Sequence, residues 1–288
     1  MLPPPIPYDP SAEALFHPEK RPPLPMAPDW PADALAAELC RLAYVRFEQG
    51  DAQKGIIASA VAAIGYSDLE FFTGGVPGEP DLGGQAFAAV NDRHEALVAF
   101  RGTQSDSLMD ILADARFLTV PWRGEGRVHQ GFWMSLESLL PQIERWLDSR
   151  PLSHLTITGH SLGAAMASLL AALRPEAQLV TIGCPRVGDR VFGASFGSSV
   201  PRRYVDTLDI VPQVPPAIGY AHLGALYYID ALGQVHPPGG TAPFVADQLR
   251  ARRDYLPLVR PGNAASRGLA DHAPINYVSA MLGVRTGP

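Results

Sequence analysis

Cysteine is almost absent from this chain. Cys40 and Cys184 are the only two in 288 residues. A helical position for Cys40 and a strand end for Cys184 predict two buried free thiols rather than a disulfide framework. No C-x-x-C or H-E-x-x-H spacing occurs, so neither cysteine marks a metal site, and no metal or organic cofactor is expected. No run of about eighteen apolar residues exists, which excludes a membrane-spanning helix. Basic runs are missing as well, and the net charge of −6 argues against nucleic acid as the main partner. That charge leaves contact with a neutral lipid surface open. The first residues, Met1-Leu2-Pro3-Pro4-Pro5-Ile6-Pro7, lack the basic start and apolar core of a secretory leader. The chain as written is therefore expected in the cytoplasm, or outside the cell if it is a mature form. No internal repeat is visible.

Proline is plentiful at the start. Residues 1–30 read as an extended, proline-rich arm with little regular structure, and residues 31–288 as a single domain. From Pro31 the pattern turns helical, with Leu35, Leu39, Leu42 and Val45 on one face, and a second helix is predicted over Ala52 to Ile64. Gln85 to Val90 and Glu95 to Phe100, flanking Asn91-Asp92-Arg93-His94, predict a β-hairpin. A helix follows from Phe132 to Leu147, bent at Pro141. Strands are predicted up to Thr158, at Gln178 to Ile182 and at Arg203 to Asp206, with a second hairpin turning at Leu232-Gly233. Helices near Phe244 to Arg253 and Ala273 to Leu282 close the chain. Strands alternating with helices predict an α/β fold whose mostly parallel central sheet has helices on both faces.

The segment Leu155-Thr156-Ile157-Thr158-Gly159-His160-Ser161-Leu162-Gly163-Ala164-Ala165 carries the chemistry. A β-rich stretch runs into G-x-S-x-G, and an Ala- and Leu-rich helix former follows. This is the setting of a nucleophile elbow, a strained turn that presents the serine hydroxyl at the top of a sheet. Gly193-Ala194-Ser195-Phe196-Gly197 also fits G-x-S-x-G, but no clear strand precedes it and Ser198-Ser199-Val200-Pro201 cannot start a long helix. Ser195 is therefore expected in a loop or short helix end.

A serine hydroxyl needs a neutral imidazole to take its proton and a carboxylate to orient that imidazole. In sheets of this type the acid follows the serine and the histidine follows the acid. Asp206 and Asp209 qualify as the acid, and His222, His236 and His272 as the base. Order alone does not separate them. An oxyanion hole would take one donor from the Leu162 N–H and the other from the loop Arg101-Gly102-Thr103 after an earlier strand.

Taken together, six motifs in order resemble the class 3 lipases, the family of the fungal triacylglycerol lipases with an α/β-hydrolase fold. They are Ala99-Phe100-Arg101-Gly102-Thr103, Val128-His129-Gln130-Gly131-Phe132, Gly159-His160-Ser161-Leu162-Gly163, Gly183-Cys184-Pro185-Arg186-Val187-Gly188, Asp209-Ile210-Val211-Pro212-Gln213-Val214-Pro215-Pro216 and Asp271-His272. The resemblance covers roughly Leu35 to Leu282. It implies Ser161, Asp209 and His272 as catalytic residues. It implies a structural role for His222, and packing or hydrogen bonding for His129 and His160. It also implies an oxyanion hole from Leu162 and Thr103, whose hydroxyl can donate as well. Phe132, Trp133, Val187 and Pro215 are the expected acyl-binding residues. Gln104 to Val120 resembles the family's lid, with Leu108, Met109, Ile111 and Leu112 as its apolar face, so a transient lipid-interface contact is expected near Leu108 to Leu112. Fungal members often carry tryptophan where Ile111 stands, and the proline-rich arm is outside the family pattern. The resemblance implies a serine hydrolase of lipid carboxylic esters acting through an acyl-serine intermediate. Phospholipase A1 or short-chain or aromatic-ester esterase activity on the same scaffold, and a non-catalytic lipid-binding protein, are the alternatives.

Overall fold

The structure, a computed structural model, describes residues 1–78, 83–103, 117–196, 200–240 and 244–287. Its strands are β1 (Ile6–Pro7), β2 (Tyr66–Thr73), β3 (Gln85–Asn91), β4 (Glu95–Phe100), β5 (Thr119–Pro121), β6 (Arg127–His129), β7 (His154–His160), β8 (Gln178–Ile182), β9 (Arg202–Asp206), β10 (Ala225–Ile229), β11 (Val235–His236) and β12 (Arg285–Thr286). The α-helices are α1 (Ala12–Phe16), α2 (Ala32–Leu42), α3 (Asp51–Ala62), α4 (Gln130–Glu137), α5 (Leu140–Asp148), α6 (Leu162–Leu173), α7 (Arg190–Gly193), α8 (Phe244–Tyr255), α9 (Arg267–Ala270) and α10 (Pro274–Met281).

Eight strands form one sheet in the order β11-β10-β9-β8-β7-β4-β3-β2. The run from β4 through β7, β8 and β9 to β10 is parallel, and antiparallel strands close both edges. Side chains alternate across the sheet as the pleat requires. Ala86, Ala88, Val98, Phe100, Leu155, Ile157 and Leu179 face a core shared with α4, α5 and α6, which contribute Leu136, Ile143 and Met166. Phe87, Ala89, Leu97, Ala99, Val180, Ile182 and Ile229 face a second core shared with α2, α3 and α10, through Leu39, Ile57 and Val278. The doubly covered sheet follows from strands apolar on both faces.

Three local differences from the sequence reading have physical causes. The helix expected over Phe132 to Leu147 is two helices, α4 and α5. Pro141 has no N–H and its ring opposes a continuing turn, so a new helix starts there instead of bending. Strand β2 has no sequence signal, because this edge strand mixes exposed and half-buried residues without a clean alternation. The arm also holds more regular structure than its prolines suggest. The proline-free run after Ser11 forms α1, whose first turn is capped by Ser11 Oγ accepting from the Ala14 N–H at 3.0 Å. Ahead of it, β1 pairs in parallel with β12.

Cys40 and Cys184 are buried free thiols. Burial pushes them up to about 12 and about 11 respectively, so both stay protonated. Among the described residues no helix is long and apolar enough to cross a membrane.

Leu136 is fully buried between α4 and the sheet. Leu136→Ala should lower unfolding free energy by about 2–5 kcal/mol, read as a reduced urea midpoint with an unchanged slope.

Candidate active site

Ser161 sits between the last residue of β7 and the first of α6, at φ 58° and ψ −128°. A positive φ on a non-glycine residue stores about 1–3 kcal/mol, held here by its surroundings. Those surroundings explain both glycines of the motif. A Cβ on Gly159 would collide with the Gly163 carbonyl, and one on Gly163 with the Phe100 carbonyl. Strand, turn and helix can approach this closely only without those side chains. The hydroxyl thus stands over the N-terminus of α6, whose first N–H groups have no partner inside the helix.

The loop after β4 runs directly beside the serine. A Cβ on Gly102 would strike the Tyr44 hydroxyl and would come within 3.1 Å of Ser161 Cβ. Arg101 anchors the loop: its N–H donates to the Gln85 carbonyl at 2.9 Å, and its guanidinium donates to Glu48 Oε2 at 3.0 Å. Thr103 follows, with its Oγ1 buried and unpartnered among the described residues.

Asp209 and His272 meet on the other side. His272 Nδ1 lies 2.9 Å from Asp209 Oδ2, and the two side chains are 1 % and 0 % exposed. A carboxylate accepts, so Nδ1 carries the proton and Nε2 keeps its lone pair. That Nε2 is buried and has no partner among the described residues. Asp209 Oδ2 also accepts from the Tyr277 hydroxyl at 2.6 Å, and Oδ1 accepts from the Val211 N–H at 2.9 Å. Gly183, at φ 57°, forms the wall against this pair: a Cβ there would lie 2.9 Å from both Asp209 Oδ2 and His272 Nδ1.

His160 braces the arrangement from behind. Its ring lies 4.3 Å from that of His272, its Nε2 is 2.8 Å from the His272 carbonyl, and its Nδ1 is 2.7 Å from the Tyr44 hydroxyl. The carbonyl can only accept, so Nε2 carries the proton and Nδ1 accepts from Tyr44. Burial, then the neighbouring His272, hold His160 well below its ordinary range, so it stays neutral.

Residues 97–219 match the model of the family Lipase (class 3), a span that includes Thr103, Ser161 and Asp209 and stops before His272. The secreted mono- and diacylglycerol lipase A of Penicillium cyclopium is 34 % identical over 159 residues, which make up 50 % of this chain and 51 % of that protein. The lipase of Rhizomucor miehei is 36 % identical over 168 residues, 50 % of this chain and 44 % of that one. The crystal structure of the lipase from Rhizopus microsporus var. chinensis aligns with a TM-score of 0.52 at 28 % identity, covering 73 % of this chain and 80 % of that chain. Over residues 97–219 the chain is similar to the class 3 lipases. It spans about half the length of the curated relatives it matches.

The other candidates from the sequence lie elsewhere. Asp206 forms a buried ion pair with Arg285, and its N–H donates to the Tyr277 hydroxyl at 3.0 Å. His236 pairs with Asp230 at 2.8 Å. His222 is largely buried; its surroundings and the charges of Arg203 and Arg186 push it down to about 3. Ser195 falls in a short 3-10 turn, its hydroxyl donating to the Phe192 carbonyl at 2.7 Å. His129 caps α4 by accepting from the Phe132 N–H at 3.3 Å, and its ring stacks on Phe132 at 4.1 Å.

Phe132 and Val187 are buried in the core on the α4 face of the sheet, with Trp133 packed against it. Trp133 meets Trp122 edge-on at 5.4 Å under the guanidinium of Arg123. Pro215 is buried, and its carbonyl accepts from Arg186 at 2.7 Å. Most of the expected lid, residues 104–116 with Leu108 to Leu112, lies outside the described residues. Tyr44, Tyr277 and Gly183 escape the sequence reading as site residues. Nothing local distinguishes a tyrosine whose partner lies 116 or 68 residues away.

The two neutral histidines make stability depend on pH. Below about pH 6.5 the unfolded chain protonates His160 and His222 while the folded chain does not, so stability falls as pH falls through that value. Each should contribute a slope of about 1.4 kcal/mol per pH unit below that point. Urea midpoints between pH 7.5 and 5 check this, and His222→Gln should flatten the slope by one proton's worth.

Proposed function

We propose that this chain is a carboxylic-ester hydrolase in which Ser161, Asp209 and His272 form the catalytic triad. The observation that carries this reading is the buried His272–Asp209 hydrogen bond, which leaves Nε2 without a partner among the described residues while the His272 ring packs on that of His160, the residue before the strained Ser161. His272 Nε2 takes the proton from the Ser161 hydroxyl as its oxygen attacks the ester carbonyl. Asp209 holds the imidazole in the Nδ1–H tautomer and stabilises the imidazolium that forms. The Leu162 and Thr103 N–H groups and the Thr103 hydroxyl hold the tetrahedral oxyanion. Its collapse passes the proton from His272 to the departing alkoxide and leaves acyl-Ser161. Water, deprotonated by the same nitrogen, then releases the acid.

Support for the oxyanion role of Thr103 is its buried hydroxyl, which no described residue engages and which a developing negative charge would complete. The aromatic wall of Phe132 and Trp133, with Val187 and Pro215, is the proposed acyl-binding side. The substrate class follows the matched relatives, named as lipases, and is a lipid carboxylic ester. Residues 104–120 are the proposed lid, with Leu108 to Leu112 meeting the lipid.

Initial rates on p-nitrophenyl esters from acetate to palmitate, with Ser161→Ala as the blank, test the assignment. A long-chain optimum that rises once substrate aggregates is the expected result. An optimum at acetate or butyrate without that rise makes the chain a short-chain esterase. Full turnover in Ser161→Ala would remove the triad altogether. Thr103→Val should cost on the order of a hundredfold in kcat, the loss seen for single oxyanion donors. Gly183→Ala should be at least as damaging, because its Cβ occupies the space of the His272 ring edge.

A further inference from the structure

The proline-rich arm ends inside the molecule. Tyr8 is only 6 % exposed. Pairing with β12 draws it in: the Ile6 N–H donates to the Val284 carbonyl at 2.9 Å and the Tyr8 N–H to the Thr286 carbonyl at 2.7 Å. The guanidinium carbons of Arg267 and Arg285 lie 4.2 and 5.6 Å from the centre of the Tyr8 ring. Its hydroxyl donates to Asp271 Oδ1 at 2.9 Å, across 263 residues of sequence. Burial, then the charge of Asp271, push the phenol above its ordinary range, so it keeps the proton it donates.

Asp271 immediately precedes His272 and is fully buried. Its Oδ1 also accepts from Arg267 Nε at 2.6 Å. Its Oδ2 accepts from the N–H of Leu208, the residue immediately before Asp209, at 3.0 Å. One carboxylate therefore ties the turn carrying the base to the loop carrying the acid, each at the adjoining residue. The arm supplies a second strap through the buried Asn276, which accepts from the Asp9 N–H and donates to the carbonyls of Asp9 and Ala270, all at 2.9 Å.

We propose that Tyr8, acting through Asp271, is a positioning residue for the Asp209–His272 pair, which makes the N-terminal arm part of the catalytic apparatus. The proposal rests on the ester-hydrolase reading above. The physical argument is one of competition. Asp271 is pulled toward Arg267 by a charge-assisted bond and toward Leu208 by a weaker amide bond. Tyr8 donates to the same Oδ1 and is a second hold on the carboxylate. Without its hydroxyl the carboxylate turns toward Arg267 and slackens its hold on Leu208, and Asp209 moves relative to the imidazole. Tyr8 packs in a different apolar cluster from Phe132, Trp133 and Val187, so the effect falls on the step in which the proton moves and leaves ground-state binding unchanged.

The test is Tyr8→Phe in the full chain, which keeps the ring against the two guanidiniums and removes only the hydroxyl. Steady-state rates on soluble p-nitrophenyl butyrate should show kcat reduced on the order of tenfold at unchanged KM. The downfield proton resonance of His272 Nδ1–H should shift or broaden. Tyr255→Phe is the control. That hydroxyl also reaches the arm, at 3.5 Å from the Pro10 carbonyl, and donates to Ala264 at 2.7 Å, with no bond to Asp271. It should lower the melting temperature while leaving kcat and the resonance in place. Unchanged kcat and resonance in Tyr8→Phe would overturn the proposal, as would an equal loss of kcat in Tyr255→Phe. A wild-type chain without turnover would instead overturn the ester-hydrolase reading, and the Nδ1–H resonance would then decide the clamp by itself.

Discussion

The hydrogen bond between Asp209 and His272 is the constraint around which the rest of this site is arranged. Both groups are buried, and a carboxylate taken out of water is tolerated only when its lone pairs are satisfied. Asp209 therefore draws three donors from three places: the imidazole, the Tyr277 hydroxyl on α10 and the Val211 amide of its own loop. Each donor fixes a segment. The imidazole fixes the turn before α10, Tyr277 fixes the helix, and Val211 fixes the Ile-Val-Pro turn. Gly183 is then the one residue type that the wall of the pair admits.

The parallel sheet brings these segments together. Loops at the ends of β4, β7, β8 and β9 all open on one edge, so the Thr103 loop, the elbow, Gly183 and the Asp209 loop become neighbours. His160 then links the two halves of the site. Its neutral ring joins Tyr44, beside the loop after β4, to the carbonyl of His272. Burial holds His160 neutral, so its ring sets no charge against that of His272.

A second buried network lies behind the first. Asp206 and Asp271 are balanced by Arg285 and Arg267, with both guanidiniums packed against the Tyr8 ring. Breaking one member of such a network leaves an uncompensated charge in a low-dielectric interior, which is why its parts act together. It joins both ends of the chain to the residues flanking Asp209 and His272.

Some of this was legible in the residues alone. G-x-S-x-G between a strand former and a helix former located the elbow, because the steric demand on both glycines is local. The alternation of apolar strands with helices predicted a doubly covered parallel sheet, since burial on both faces leaves its mark on each strand. Periodicity placed α2, α3, α8 and α10 within a few residues of their observed ends. It missed β2, whose half-exposed edge position carries no period. The choice of Asp209 over Asp206, and of His272 over His222 and His236, did not follow from chain order. Resemblance to a family suggested it, and the tertiary structure decided which carboxylate meets which imidazole. The same holds for Tyr8, Tyr44 and Tyr277. Their partners lie far away along the chain, and a tyrosine that braces a catalytic residue has the same local sequence as one that fills a core. Local sterics and burial patterns are written in the sequence, whereas long-range hydrogen bonds exist only once the sheet has aligned its loops.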